Sequence, residues 1–213
     1  MRPKDIAHNI IVAPELEAQL NLAVEGLDRF PQFVNLVTNY KIRDLGFSES
    51  VPEHAKDSLP LNNVPGVITV WGGIYSNHKE LYINPAAKQL WVNFNTFGPK
   101  PLGKAEVIAA TVPYTDVDTA LLVHELSHHI DFYMVRDSQH LIDYVFKQTG
   151  FQAHDAGLHV SSYASTTPEE WFAETMSAYL YKPDELYDFD RASYQAMKTV
   201  LDVCQPKALK VAA

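Results

Sequence analysis

Hydrophobic residues recur at helical spacing near the start of the chain, within residues 14–30. Apolar side chains three to four residues apart fall on one face of a helix, so this range is predicted to be an amphipathic helix. The positions are Leu16, Leu20, Ala23 and Leu27. Pro14 suits a first-turn position, and Pro31 predicts the end of the helix. Residues 32–40 are predicted to form a second, short helix.

The pattern changes in the middle of the chain. Residues 46–66 are rich in Ser, Pro, Asn and Gly, which predicts a loop. Apolar and β-branched runs bounded by Gly, Asn and Pro follow, and such runs are typical of strands. The predicted strands are residues 67–71, 80–84 and 90–94. A second loop, rich in Pro and Gly, is predicted over residues 97–103.

From Asp116 to about Cys204 the pattern is helical, with breaks. A buried stripe is predicted on the first of these helices. Its members are Val123, Leu126, Ile130 and Tyr133. The order of helices, strands and helices predicts an α+β fold with a small sheet-containing N-terminal lobe and a helical C-terminal lobe. We expect one domain over residues 1–213, with lobes of about 1–134 and 135–213 and the functional site between them.

Composition narrows the class of protein. Apolar residues make up 46% of the chain and charged residues 20%, as in ordinary globular proteins. A net charge of −9 argues against nucleic-acid binding, because phosphate contacts need clustered Lys and Arg. Cys204 is the single cysteine, which excludes an intramolecular disulfide and a Cys-based metal site.

Neither a signal-peptide core nor a membrane-spanning run is visible in the sequence. A cytoplasmic protein is therefore the default expectation, with a mature secreted form and non-classical export left open. The sequence makes no prediction of the oligomeric state.

The segment His-Glu-Leu-Ser-His at residues 124–128 has the spacing of a zinc site. His124 and His128 lie one turn apart on the same face of a helix, so both imidazoles can reach one ion. Glu125 stands beside the first His and can act as general base toward a water that the zinc activates.

Three residues that follow this motif limit the alternatives. His129 lies about 100° around the helix from His128, so we interpret it as a packing or surface residue. A metzincin needs a Gly and a third His at fixed offsets, but Asp131 and Met134 stand at those positions. The metzincin class is therefore excluded.

A catalytic zinc needs a third protein ligand and one open position. The downstream candidates are His140, His154, His159, Glu170 and Glu174. Thr167 is a predicted N-cap and Pro168 the first helical residue, which puts Glu170 and Glu174 one turn apart on one face. The spacing from Thr167 to Glu170 also suits a capping box, and Glu174 also suits a surface charge or an acceptor behind a ligand.

The segment from Ser162 to Glu174 resembles the zinc-site segment of the anthrax lethal factor-like peptidases, a family that includes the Pro-Pro endopeptidases. The shared pattern is a Tyr, a Glu seven residues later, two aromatics, Ala and a second Glu. It is carried by Tyr163, Glu170, Trp171, Phe172, Ala173 and Glu174. Residues 124–133 resemble the family too, including Asp131 and Tyr133, although Ser127 stands where relatives carry Gly. The resemblance covers about residues 116–203.

The resemblance implies a zincin-type fold and a gluzincin-type zinc metalloendopeptidase with one catalytic Zn²⁺ and no other cofactor. The implied metal ligands are His124, His128 and Glu170. The implied catalytic residues are Glu125 and Tyr163. The residues implied to support the ligands from outside are Glu174 and Asp131.

The expected partner is a peptide or protein substrate in an extended conformation, paired with an edge strand of the sheet. Residues 67–71 and 80–84 are both candidates for that strand. Two other hypotheses stay open: a catalytically silent binding module with the same fold, and a zinc hydrolase that acts on a non-peptide substrate.

Overall fold

The computed structural model describes residues 1–48, 73–76, 79–85, 116–132, 159–161 and 163–203. Several predictions lie outside these residues. They are the strands at 67–71 and 90–94, the loop at 97–103, most of the loop at 46–66, and the candidate ligands His140 and His154.

Four strands form one sheet in the order β1-β2-β4-β3. The strands are β1 (Ala7–Val12), β2 (Ile42–Phe47), β3 (Gly73–Ser76) and β4 (Glu80–Ile83). Strands β1, β2 and β4 are parallel, whereas β3 is antiparallel to β4. Strand β4 confirms the predicted strand at 80–84. It lies between β2 and β3, however, so the expectation that this segment could be an edge for an extended substrate is wrong.

Strands β1 and β2 were not predicted, so the expected order of helices followed by strands is wrong at the N-terminus. Their residues carry little alternation: β1 contains His8 and Asn9, and β2 contains Arg43 and Asp44. The two strands pair in parallel across a helical crossover, and Asn9 donates a hydrogen bond to Asp44 at 2.7 Å. Pairing of this kind depends on contacts far apart in the chain, which local patterns do not record.

Helices occupy most of the remaining described chain. They are α1 (Pro3–Ile6), α2 (Glu17–Glu25), α3 (Pro31–Asn39), α4 (Val117–Ile130), α5 (Pro168–Tyr181), α6 (Pro183–Phe189) and α7 (Arg191–Val203). The predicted helix at 14–30 is confirmed as α2 with a 3₁₀ turn at each end, and α3 confirms the second helix. The protein is thus α+β, with a small sheet and its helices first and a helical part last. None of the helices in the described ranges is long and apolar enough to cross a bilayer.

One hydrophobic core joins the sheet to the helical part. Helix α4 packs against α2, α5, β3 and β4, and it is buried on most of its sides. Val123, Leu126 and Ile130 of the predicted stripe are fully buried. Because it contacts packed neighbours on several sides, α4 has little freedom to rotate or slide, and its polar side chains have fixed directions.

Two contacts hold the beginning of α4 in place. A Cβ atom at Gly26 would lie 2.3 Å from the Thr119 hydroxyl oxygen, so only glycine allows this approach. Thr119 donates a hydrogen bond to the Ala23 carbonyl at 2.9 Å. Arg29 pairs with Asp116 at 2.6 Å.

Arg29 also reaches the end of α5. Its guanidinium donates to the Tyr181 hydroxyl at 3.0 Å and lies 4.9 Å from the centre of that ring. One side chain therefore connects the N-terminus of α4, through Asp116, with the C-terminus of α5.

Candidate metal centre

Helix α4 brings His124 and His128 together, as their spacing predicts. Their rings meet edge to face with centroids 4.9 Å apart, and the two Nε2 atoms are 3.2 Å from each other. Both side chains are largely buried. The helix therefore aims two imidazole nitrogens at one point.

The first turn of α5 brings Glu170 to the same point. Thr167 is the N-cap and Pro168 the first helical residue, as predicted, and the Thr167 hydroxyl accepts a hydrogen bond from the Glu170 N–H at 3.2 Å. The Glu170 carboxylate turns toward the histidines. Its Oε2 atom is 3.2 Å from His124 Nε2 and 3.5 Å from His128 Nε2.

The spacing of these three atoms suits a tetrahedral metal ion. Ligand bonds of about 2.0–2.1 Å place neighbouring ligand atoms of a zinc site about 3.3 Å apart. Here the three separations are 3.2, 3.2 and 3.5 Å. Within the described part of the chain, Glu170 Oε2 is buried without a hydrogen bond. His124, His128 and Glu170 thus form a group that could hold a metal ion.

The charges around the group favour a cation. Burial alone would raise the pKa of Glu170, but the two histidines outweigh burial and hold that pKa far below 4.5. Burial alone would lower the pKa of His124, but the carboxylates of Glu170 and Glu174 raise it well above 6.5. Carboxylates that remain ionised beside imidazoles are a donor set that zinc prefers.

Glu125 is buried on α4 next to the first histidine. Burial raises its pKa above 4.5, and Glu170 adds to the rise, while His124 and His128 oppose it. A carboxylate with a raised pKa takes up and releases a proton more readily near neutral pH.

Glu174 contacts the far side of His124, where the resemblance implied a supporting residue. Its Oε1 atom lies 2.9 Å from His124 Nδ1, and its Oε2 accepts a hydrogen bond from the Ser161 hydroxyl at 2.7 Å. A proton on Nδ1 leaves the Nε2 lone pair directed toward the candidate metal position. Sequence reasoning missed Ser161, because a serine 13 residues before Glu174 belongs to no helical or motif spacing.

Tyr163 lies at the exposed side of the group, in a 3₁₀ turn at Tyr163–Ser165. Its hydroxyl donates to Glu170 Oε1 at 3.1 Å, and its ring stacks on His124 with centroids 6.0 Å apart. The residue is 49% exposed. Partial burial and the Glu170 charge raise the pKa of the phenol, so it keeps its proton and remains a donor at neutral pH.

The other predicted residues lie apart from this group. His129 is 1% exposed, and its Nε2–H donates to the Tyr40 carbonyl at 2.7 Å, which confirms the packing interpretation. Burial lowers the pKa of His129 to about 4, so its ring is neutral. Asp131 is buried as the C-cap residue of α4, and its supporting role stays a prediction. His159 is not a member of the metal-binding group.

Comparison of the chain with protein-family models, curated proteins and solved structures gives no match.

Proposed function

We propose that the protein is a zinc-dependent endopeptidase of the gluzincin type, with a zincin-type fold. In this proposal residues 1–213 form one metallopeptidase domain whose two lobes, about 1–134 and 135–213, flank the active site. The observation that carries the proposal is the near-tetrahedral spacing of His124 Nε2, His128 Nε2 and Glu170 Oε2. The resemblance of residues 116–203 to the lethal factor-like peptidases supports the same function.

The ligands would be His124, His128 and Glu170. A zinc ion held there would supply Lewis acidity, which would make a water molecule more acidic and polarise the carbonyl of the bond to be cut. Glu170 is suited to use one oxygen for the ion, because its second oxygen accepts the hydrogen bond from Tyr163.

Glu125 acts as the general base and then as the general acid. It removes a proton from the attacking water as the new carbon–oxygen bond forms. It delivers that proton to the nitrogen of the leaving peptide as the carbon–nitrogen bond breaks. The burial of Glu125, which raises its pKa, supports both steps.

Tyr163 stabilises the oxyanion that develops on the attacked carbonyl. Its phenol is a neutral donor whose one proton goes to Glu170 Oε1 in the substrate-free protein, and that proton would turn to the oxyanion when a substrate is bound. Its ring stacks on His124, which keeps the hydroxyl near the candidate metal position. Because nearly half of its surface is exposed, a substrate can reach its hydroxyl.

The substrate is an extended peptide that pairs with β3. Among the described strands, β1 and β3 are at the two edges of the sheet, and β3 packs against α4. A peptide added along this edge gains main-chain hydrogen bonds and passes the helix that bears His124 and His128. This geometry favours a peptide over a small non-polymeric substrate.

The test combines metal analysis with peptide cleavage. Wild type, Glu125→Gln and the control Glu185→Gln are purified without chelator, their zinc content is measured, and each is incubated with a diverse peptide library read by mass spectrometry. Glu185 is exposed on α6 and pairs with Lys182, away from the site. We expect about one zinc per chain in all three proteins. We expect internal cuts by wild type and Glu185→Gln only.

Other results would overturn the proposal in distinct ways. Zinc binding without cleavage of any peptide would favour the silent binding module. Zinc-dependent hydrolysis of esters or amides other than peptides would favour the non-peptide hydrolase. Failure to bind zinc after reconstitution would remove the proposed metal centre itself.

A further inference from the structure

Ser161 is a polar residue outside every motif, and both hydrogen-bonding functions of its hydroxyl are used. The oxygen accepts the backbone N–H of Ala164 at 3.0 Å. An N–H group can only donate, so the Ser161 proton is left for another partner. That partner is Glu174 Oε2, at 2.7 Å. The direction of both hydrogen bonds is thereby determined.

Glu174 connects Ser161 to the candidate metal ligand His124. One of its oxygens is held by Ser161, and the other lies 2.9 Å from His124 Nδ1. The carboxylate is largely buried and is fixed from both ends. The direction of the His124 ring therefore depends on a serine that does not touch it.

The same hydroxyl also holds the turn that carries Tyr163. Ala164 follows Tyr163 in the 3₁₀ segment and is itself fully buried. Its N–H bond to Ser161 therefore fixes the backbone beside the tyrosine. A single oxygen atom thus contacts the supports of two functional side chains, the His124 ring and the Tyr163 phenol.

We propose that Ser161 is a positioning residue of the metal centre, which sets the His124 ring through Glu174 and the Tyr163 turn through Ala164. The inference rests on the proposed zinc site. Its zinc-binding part is independent of whether the substrate is a peptide.

The experiment compares Ser161→Ala and Ser161→Thr with the matched control Ser177→Ala. Ser177 is on the same helix as Glu174, and its hydroxyl donates to the Ala173 carbonyl of that helix at 2.9 Å. Zinc affinity is measured by competition with a chelator, and kcat and KM are measured on a peptide that wild type cleaves. The zinc-free proteins are compared by thermal unfolding.

Ser161→Ala is expected to weaken zinc binding by about 10-fold or more, the usual effect of losing a partner behind a ligand. It is also expected to lower kcat more than it changes KM, because Tyr163 acts in the transition state. Ser161→Thr, which keeps the hydroxyl, should restore most of the zinc affinity. Ser177→Ala should bind zinc as wild type does.

A double-mutant cycle shows whether Ser161 acts through Glu174. In a Glu174→Ala background, adding Ser161→Ala should change zinc affinity by less than about two-fold, since the connection is already broken. A full additional loss would show that Ser161 acts by another route and would overturn the proposal.

Zinc affinity in Ser161→Ala equal to that of wild type, or an equal loss in Ser177→Ala, would also overturn it. If Ser161→Ala does not fold, Ser161→Cys, a weaker donor of similar shape, is tested against the same expectations. If wild type binds zinc but cuts no peptide, the proposed function fails while the affinity comparison still decides the role of Ser161.

Discussion

Helices α4 and α5 supply the candidate ligands in two different ways. His124 projects from the middle of α4 and His128 from its last turn, and because the helix is packed on most sides, the core determines where they point. Glu170 is in the first turn of α5, three residues after its N-cap. The difference indicates that the positions of the two histidines are maintained as long as the core is folded. The position of the carboxylate depends instead on a local cap and a few polar contacts.

The largest effect, on the free energy of unfolding, is expected from a substitution on the core-facing side of α4. Leu126 lies between the two histidines in the sequence, on the opposite side of α4, and it is fully buried. Leu126→Ala should therefore lower the free energy of unfolding by about 2–5 kcal/mol. Chemical denaturation of the zinc-free protein measures the change. Leu22→Ala is the control, because Leu22 is 68% exposed on α2, and it should change stability by less than about 0.5 kcal/mol. Equal effects of the two substitutions would contradict the importance of α4 packing.

Removing the Glu170 carboxylate should have a large effect on zinc affinity and a smaller effect on the stability of the zinc-free protein. Glu170→Ala is expected to weaken zinc binding by more than about 100-fold, or about 2.8 kcal/mol, since a direct ligand matters more than an outer partner. Chelator competition measures the affinity. In the zinc-free protein the substitution removes the contacts with the two histidines but no core packing, so the free energy of unfolding should fall by less than it does in Leu126→Ala. Retention of wild-type zinc affinity would eliminate Glu170 as a ligand.

The smallest effect on stability and zinc affinity is expected from a substitution of the N-cap residue of α5. Thr167→Ala removes the hydroxyl that accepts the Glu170 N–H and should cost about 1 kcal/mol of stability. Since Glu170 is in the capped turn, zinc affinity should fall by a few-fold as well, and Thr167→Ser should restore both quantities. Thr199→Ala is the control, because Thr199 is away from the site and its hydroxyl donates to the Gln195 carbonyl within α7. A loss of stability without any change in zinc affinity would show that the cap does not position the carboxylate.

The parts of the site that could be predicted follow from spacing within a single helix. His124 and His128 are four residues apart, and so are Glu170 and Glu174, so helical geometry alone places each pair on one face. Thr167 and Pro168 predict the start of α5, because a Thr hydroxyl can cap the first turn and the fixed φ of Pro suits the first helical position. The choice of Glu170 over Glu174 as the ligand came from the family resemblance, and the distances to the histidines agree with it.

The parts that were missed depend on contacts between distant residues. Strand β1 pairs with β2 although His8, Asn9, Arg43 and Asp44 interrupt the apolar pattern of both strands. Ser161 contacts Glu174 across a turn and a helix start, at a separation that no periodicity marks. In both cases tertiary structure brings together residues whose local sequence carries no signal of the contact.

The shortness of β3 limits how tightly main-chain pairing alone could hold a substrate. Only alternate residues of an edge strand direct their N–H and C=O groups outward, so the four residues Gly73–Ser76 offer about four hydrogen bonds. At a net 0.5–1.5 kcal/mol each, four bonds amount to about 2–6 kcal/mol, which corresponds to dissociation constants from roughly tens of millimolar to tens of micromolar. Most of the discrimination among peptides must then come from the side chains on either side of the bond that is cut.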